Sequence, residues 1–231
     1  MVDRKKINSC TVYKKQCECF ELLTEKQREL VEENQVVVEY KKGEVIARQG
    51  AFASHIIVIE KGLAKVMYED GDNNIILRIS TPGSLIGLSS ISESNRLFGY
   101  TAKAYINTIV RQIDTSVFIK LIEENSKFGL QLIKILSEIS HQKNERFFGL
   151  THRQSFGKLA DLLLCMSLNI FKDNKFELPL SRKQLGELAG MSTESVIRTL
   201  KSFQEDKLVE INGKTIEIID NEGLMKIFET G

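Results

Sequence analysis

The spacing of apolar residues changes once along this chain, near Asp114, and that change restricts the fold more than any other feature. Up to that point the sequence is a series of short β-branched runs, over 36–38, 56–59, 63–67, 75–79 and 106–113, separated by turn residues. Beyond it, apolar side chains return every three or four residues, the period of one helix face. A β domain followed by helices is therefore expected, an α+β chain rather than an alternating one. Glycines at 43, 50, 62, 71, 83 and 87 fall between or beside the strands, where turns take positive φ. Many short strands punctuated in this way predict a jelly roll or β-sandwich. One short helix, over 20–34, is expected ahead of it, with Leu22, Leu23, Leu30 and Val31 as its apolar positions.

Two helices are predicted after Asp114, over 115–124 and 126–150. On the longer one Phe128, Leu132, Ile135 and Ile139 follow helical spacing, and Gln142 and Arg146 continue the register. Such a seam suits a partner helix, so a homodimer through these four residues is expected, with packing on the chain's own β domain as the alternative. A third section starts at Thr151, placed to cap a helix carrying Phe156, Leu159, Ala160, Leu163 and Met166. A polar break at 172–175 and a short strand at 176–180 follow, then two closely spaced helices, 182–189 and 193–205, and a hairpin. The organisation is thus a cysteine-containing tail over 1–20, a β-roll over 21–114, a helical connector over 115–150 and a C-terminal domain over 151–231.

The segment SRKQLGELAGMSTESVIRTLKSF, 181–203, carries the most chemistry. Ser181 can cap the first helix, with Gln184 at the capping-box position. Gly186 supplies a small side chain where two helices would cross closely, and Gly190 permits a tight turn. Val196, Leu200 and Phe203 face inward from the second helix. This is the pattern of a helix-turn-helix. The outward face presents Thr193, Glu194, Ile197, Arg198 and Lys201, with Ser195 beside them, side chains able to reach groove edges or phosphates. Asn212-Gly213 between the β-rich runs 208–211 and 214–218 predicts a hairpin, so the motif carries a wing. Double-stranded DNA is the partner such a motif serves.

Net charge alone would point elsewhere. The chain has 32 basic and 31 acidic side chains, and 151–231 has 11 basic and 12 acidic ones. Phosphate contacts must then be local, through Arg182, Lys183, Lys201 and Lys214 and backbone N–H groups at helix starts. Specificity would rest on base contacts and dimer geometry rather than on bulk charge. An apolar fraction of 42% excludes a disordered or collagen-like chain. No apolar run approaches the roughly 20 residues of a membrane helix, and MVDRKKINSC lacks a signal core. With four cysteines the chain is expected in the reducing cytoplasm, away from any membrane, with Cys165 as a small core residue.

Taken together, the glycine-punctuated roll, the long helix and the segment SRKQLGELAGMSTESVIRTL followed by INGKTIEI make nearly the whole chain resemble the Crp/Fnr family of bacterial transcription regulators. The resemblance implies an effector-sensing, cyclic-nucleotide-binding-like β-roll, a homodimer through the long helix, and a winged helix-turn-helix that reads a palindromic promoter site. It also implies RNA polymerase as a partner. Glu194 and Arg198 match the family's acidic and arginine base-reading positions, which suit cytosine N4 and guanine O6 and N7 in a TGA-type half-site. Thr193 stands where some members have arginine, and Ile197, where others have serine or glycine, could touch a thymine methyl. Arg182 and Lys183 match a phosphate-contacting turn, and Asn212 and Lys214 the wing tip.

In members that bind a cyclic nucleotide, a Gly-Glu step holds the ribose and an Arg-Ser pair the phosphate. The matching positions here are Gly87-Leu88 and Phe98-Gly99, with Arg96 two residues from the expected arginine. An anionic phosphate would lose both charge-assisted contacts, so a cyclic nucleotide is not expected. Cys10, Cys17 and Cys19 loosely resemble the N-terminal cysteines that hold an iron–sulfur cluster in some members. Their spacing is Cys-x6-Cys-x-Cys and the roll lacks the fourth ligand, so a solvated tail of reduced thiols is expected. A cluster is left open, as is haem, because no spacing assigns His55, His141 or His152. A sequence-specific regulator under effector or redox control, not an enzyme, accounts for most of the chain. The alternative, a thiol or metal redox enzyme using Cys17 and Cys19, leaves 181–218 unexplained and has no accompanying catalytic motif.

Overall fold

The computed structural model describes residues 18–71, 73–92, 94–178 and 180–231. They form two compact units divided between Ser140 and His141, inside the long helix rather than at its end.

In the first unit eight strands build two antiparallel sheets. They are β1 (Gln35–Tyr40), β2 (Val45–Ala47), β3 (His55–Lys61), β4 (Ala64–Asp70), β5 (Asn73–Ser80), β6 (Leu85–Ile86), β7 (Thr101–Ala104) and β8 (Thr108–Asp114). One sheet has the order β1-β8-β3-β6 and the other β2-β7-β4-β5, the jelly roll expected from the sequence. Strands β2, β6 and β7 escape the sequence pattern because they are two to four residues long, too short to show a period. Strand β3 is an unbroken apolar run because both of its faces are covered. Ile57 and Ile59 fill the core shared with Val66 and Ala102, while Ile56 and Val58 lie in a second core beneath helices.

Those helices are α1 (Glu25–Glu33), α2 (Thr115–Glu124) and α3 (Ser126–His152). The helix expected over 20–34 is two pieces, a 3-10 turn at Glu18–Leu22 and then α1. Thr24 divides them: its hydroxyl accepts from the Gln27 N–H at 3.4 Å while the Gln27 side chain accepts from the Thr24 N–H. On α3, Phe128, Leu132 and Ile135 are buried in this unit's own core, with Ile139 packed at its edge. The Phe128 ring meets Phe118 edge-on at 5.3 Å. The expected dimer seam is corrected accordingly. Helix α3 spends that face in the core it shares with α2, β3 and β8, and exposes Leu130, Ile133 and Leu136 instead.

The second unit holds the rest of α3, then α4 (Ser155–Cys165), a π-helical turn at Met166–Phe171, β9 (Lys175–Glu177), α5 (Arg182–Ala189), α6 (Thr193–Glu205), β10 (Val209–Asn212), β11 (Thr215–Ile218) and α7 (Asn221–Thr230). Strands β10, β11 and β9 form one antiparallel sheet. Thr151 does not start a helix. It lies within α3, its hydroxyl donating to the Phe147 carbonyl at 2.8 Å, and Gln154 is the N-cap of α4. The sequence pattern did not show α7, whose Leu224, Met225 and Phe228 are buried.

Cys19 and Cys165 are both fully buried, and neither is a free thiol. That corrects the expectation of solvated, reduced cysteines at Cys19, which packs among Phe118, Phe128 and their neighbours. Cys10 and Cys17 lie outside the described residues. Among the described residues no helix is long and apolar enough to cross a membrane, and no three His, Cys, Asp or Glu side chains gather as a metal site.

Candidate nucleic-acid interface

The helix-turn-helix is assembled by short-range chemistry. Ser181 caps α5, its hydroxyl accepting from the Gln184 N–H at 3.2 Å while Gln184 Oε1 accepts from the Ser181 N–H at 3.0 Å. The helix ends at Gly190 with φ 62°, a left-handed cap that favours glycine. Gly186 is small for a reason other than helix crossing. A Cβ there would lie 2.6 Å from the Met191 carbonyl oxygen, so the turn itself passes over this position, and Met191 N–H donates to Gly186 O at 2.9 Å. Ser192 caps α6 by accepting from the Ser195 N–H at 3.1 Å.

Helix α6 has two chemically distinct sides. Val196, Thr199, Leu200 and Phe203 are buried, with Phe156 of α4 edge-on to Phe203 at 5.7 Å. Glu194, Ile197, Arg198 and Lys201 are exposed, and Thr193 and Ser195 are half-buried at the first turn. The Glu194 carboxyl is held below the usual carboxylate range by its own backbone N–H and by the Ser192 hydroxyl, so it stays an acceptor at neutral pH. Lys201 Nζ lies 3.6 Å from Glu205, whereas among the described residues Arg198 makes no ion pair. At the start of α5 Arg182 is half-buried, its guanidinium pKa lowered by burial, and Lys183 is exposed.

The wing is the β10–β11 hairpin, and its turn lies one residue later than expected. Asn212 pairs with Thr215, which leaves Gly213-Lys214 as the two loop residues. Only Gly213, at φ 61°, takes positive φ, the demand of a type II′ turn rather than the type I′ turn of Asn-Gly. Asn212 and Lys214 remain exposed beside the tip.

The roll residues singled out for an effector differ in exposure, and two of them are core residues. Gly87 N–H donates to Tyr100 Oη at 2.9 Å, Leu88 is buried in the core beneath the helices, and Phe98 is buried between the sheets. Arg96 and Gly99 are exposed. Leu88 and Phe98, at the positions that the resemblance assigns to the ribose and the phosphate, are apolar packing residues and offer no charge-assisted contact to either. Sequence reasoning also missed Arg146, which it read only as continuing the register of the apolar seam. Its side chain is buried and donates to the Leu188 carbonyl of α5 at 2.6 Å.

Comparison with known proteins agrees with this geometry. The model of the Crp-like helix-turn-helix domain matches residues 157–227, and that of the cyclic nucleotide-binding domain matches 37–125. The chain is 29% identical over 189 residues to the transcriptional activator protein FnrA of Stutzerimonas stutzeri, covering 80% of this chain and 77% of that one. It is 24% identical over 238 residues to the fumarate and nitrate reduction regulatory protein of Vibrio cholerae, covering 96% and 94%. In fold it is similar to FixK2 from Bradyrhizobium japonicum, with a TM-score of 0.76 at 21% identity over 84% and 96% of the two chains. These relatives are regulators, and nothing in them supports the thiol-enzyme alternative. With the nucleotide-binding-like roll, the long helix and the winged helix-turn-helix in this order, the chain belongs to the Crp/Fnr family of DNA-binding transcription regulators.

Proposed function

We propose that the protein acts in the cytoplasm as a homodimer that reads a palindromic promoter site, works with RNA polymerase, and responds to a signal sensed by the roll or the N-terminal region. The observation that carries the DNA-reading half is the solvent face of α6, where Glu194, Ile197, Arg198 and Lys201 are exposed opposite a buried Val196, Leu200 and Phe203. A helix of this kind fits the major groove, with Arg198 directed to guanine O6 and N7 and Glu194 to cytosine N4. Thr193 and Ser195 would border the same bases, while Arg182, Lys183, Lys201, Asn212 and Lys214 would meet phosphates.

The dimer reading moves to the face of α3 that the roll leaves uncovered. Leu130, Ile133, Ser137, Ser140, Asn144 and Phe147 are exposed and follow three- and four-residue spacing, with small or polar residues in the middle where two helices would approach closely. Pairing two copies there would let two α6 helices enter grooves about 34 Å apart. The name of the relative FnrA, a transcriptional activator, supports control of transcription as the outcome.

Selecting duplexes from a random pool with the full chain, then comparing Arg198→Ala on them, tests the reading. A bidentate guanine contact contributes about 1–3 kcal/mol of discrimination, so the variant should lose roughly five- to 150-fold of its selectivity while remaining a folded dimer. Retained discrimination between selected and scrambled palindromes would overturn it.

A further inference from the structure

The long helix meets the helix-turn-helix through a buried charge. Arg146 continues the register of Phe128, Leu132, Ile135 and Ile139, but here the face meets a polar group: its Nη2 donates to the Leu188 carbonyl, 2.6 Å away, in the last turn of α5. Carbonyls at the end of a helix lack an intrahelical donor and carry the negative end of its dipole, so a guanidinium suits that place. Asp161 of α4, also buried, supplies an opposing charge, and Arg153 Nη1 bridges to its Oδ2 at 2.6 Å. Arg153 in turn lies 4.1 Å over the Phe228 ring of α7. Burial pushes the Arg146 guanidinium down to about 10, with Asp161 opposing the shift, so it remains charged at neutral pH. One turn further along α3, Leu150 presses on the turn itself, since a Cβ on Gly190 would sit 3.0 Å from Leu150 Cδ2. The cleft lined by Arg146, Lys158, Asp161 and Leu188 is only water-sized, which makes this a joint and not a ligand site.

We infer that Arg146 is a positioning residue for DNA reading: it pins the end of α5, and the turn that launches α6, to the long helix. The inference rests on the reading that paired α3 helices present two copies of α6 to a palindrome. Helix α6 begins at Thr193, three residues beyond Gly190, so an error at the joint passes directly to Glu194 and Arg198. The helix-turn-helix is also held by the buried Leu185, Val196, Leu200 and Phe203, the last edge-on to Phe156 of α4, so loosening the joint leaves the motif folded but free to rock on α3. What Arg146 then controls is the separation and twist of the two recognition helices, and Arg146 itself touches no base.

Spacer length reads this directly. The full chain, Arg146→Gln and Arg146→Lys are compared on duplexes carrying the selected half-sites with the central spacer lengthened or shortened by one and two base pairs. Each base pair turns one half-site by roughly a tenth of a helical turn, which a rigid dimer tolerates poorly. The parent protein should prefer one spacer by about tenfold or more. Arg146→Gln should lose about tenfold on that spacer and little on the others, flattening the profile, and Arg146→Lys, which keeps a charged donor, should restore part of the preference. A folded, dimeric Arg146→Gln protein with the parental profile overturns the inference and leaves the DNA-reading proposal standing. Failure to select any duplex overturns both. If Arg146→Gln does not fold, Leu150→Ala, which loosens the same joint without removing a buried charge, is read on the same series by the same two outcomes.

Discussion

On the outer face of α6, Ile197 keeps 53% of its surface exposed among Glu194, Arg198 and Lys201. An apolar side chain on a groove-facing surface can contact the thymine methyl, the only apolar mark a base edge offers in the major groove. Replacing thymines of the selected half-site by deoxyuridine, one at a time, should therefore weaken binding at one position. The expected cost is about 0.8 kcal/mol, roughly fourfold, and Ile197→Ala should be insensitive to the same replacement. Equal sensitivity of both proteins would remove Ile197 from base reading. Glu194, Ile197 and Arg198 were legible from the sequence because helical spacing alone puts them on one face. Arg146 was not, because an arginine continuing an apolar register does not reveal that a carbonyl on another helix awaits it.

Elements in this chain are set by caps and close approaches that extend only a few residues, which is why α5 and α6 have the predicted bounds. The same locality makes Gly186→Ala a sharp test. Its new Cβ would stand 2.6 Å from the Met191 carbonyl oxygen, a backbone atom that cannot swing aside. Thermal unfolding should show a loss of about 1–3 kcal/mol, the usual range for overpacking. At the start of α2 the Asp114 carboxylate accepts from the Ser116 hydroxyl at 2.6 Å and from the Ser116 N–H at 2.7 Å, contacts that hold its pKa below the ordinary 3.8. A lowered folded value means that the stabilisation is complete above 3.8 and is lost as the pH falls through the folded value. Asp114→Ala should cost about 1 kcal/mol at neutral pH. The gap between the two proteins should close on acidification, as followed by denaturant unfolding at a series of pH values. Thr24, Gly213 and Thr151 moved a boundary or a turn relative to the sequence reading. In each case a single hydrogen bond or pairing register, absent from any periodicity, chose between neighbouring alternatives.

Across the whole molecule α3 is the element used by both units, and its two apolar faces have different fates. Leu132 is 3% exposed and Ile133 63%. Ile133→Glu should leave the unfolding transition within about 0.5 kcal/mol of the parent while shifting the protein from dimer to monomer in sedimentation velocity. Leu132→Glu should instead bury a charge in the core of the roll unit and cost several kcal/mol, about 3–5, before any question of assembly arises. A dimer that survives Ile133→Glu would send the interface elsewhere. The sequence by itself determined the β-then-α order, the jelly roll, the helix-turn-helix with its wing and the exposed face of α6. Each of these follows from periods and caps that neighbouring residues impose on one another. Tertiary structure alone decided which face of α3 is spent inside the chain, because that depends on Ile56, Val58 and Ile113, distant in sequence, needing a cover. It also decided that Leu88 and Phe98 are packing residues and that Arg146 grips α5. Burial is a property of what arrives from elsewhere in the chain, and a helical period is the same whichever side the partner takes.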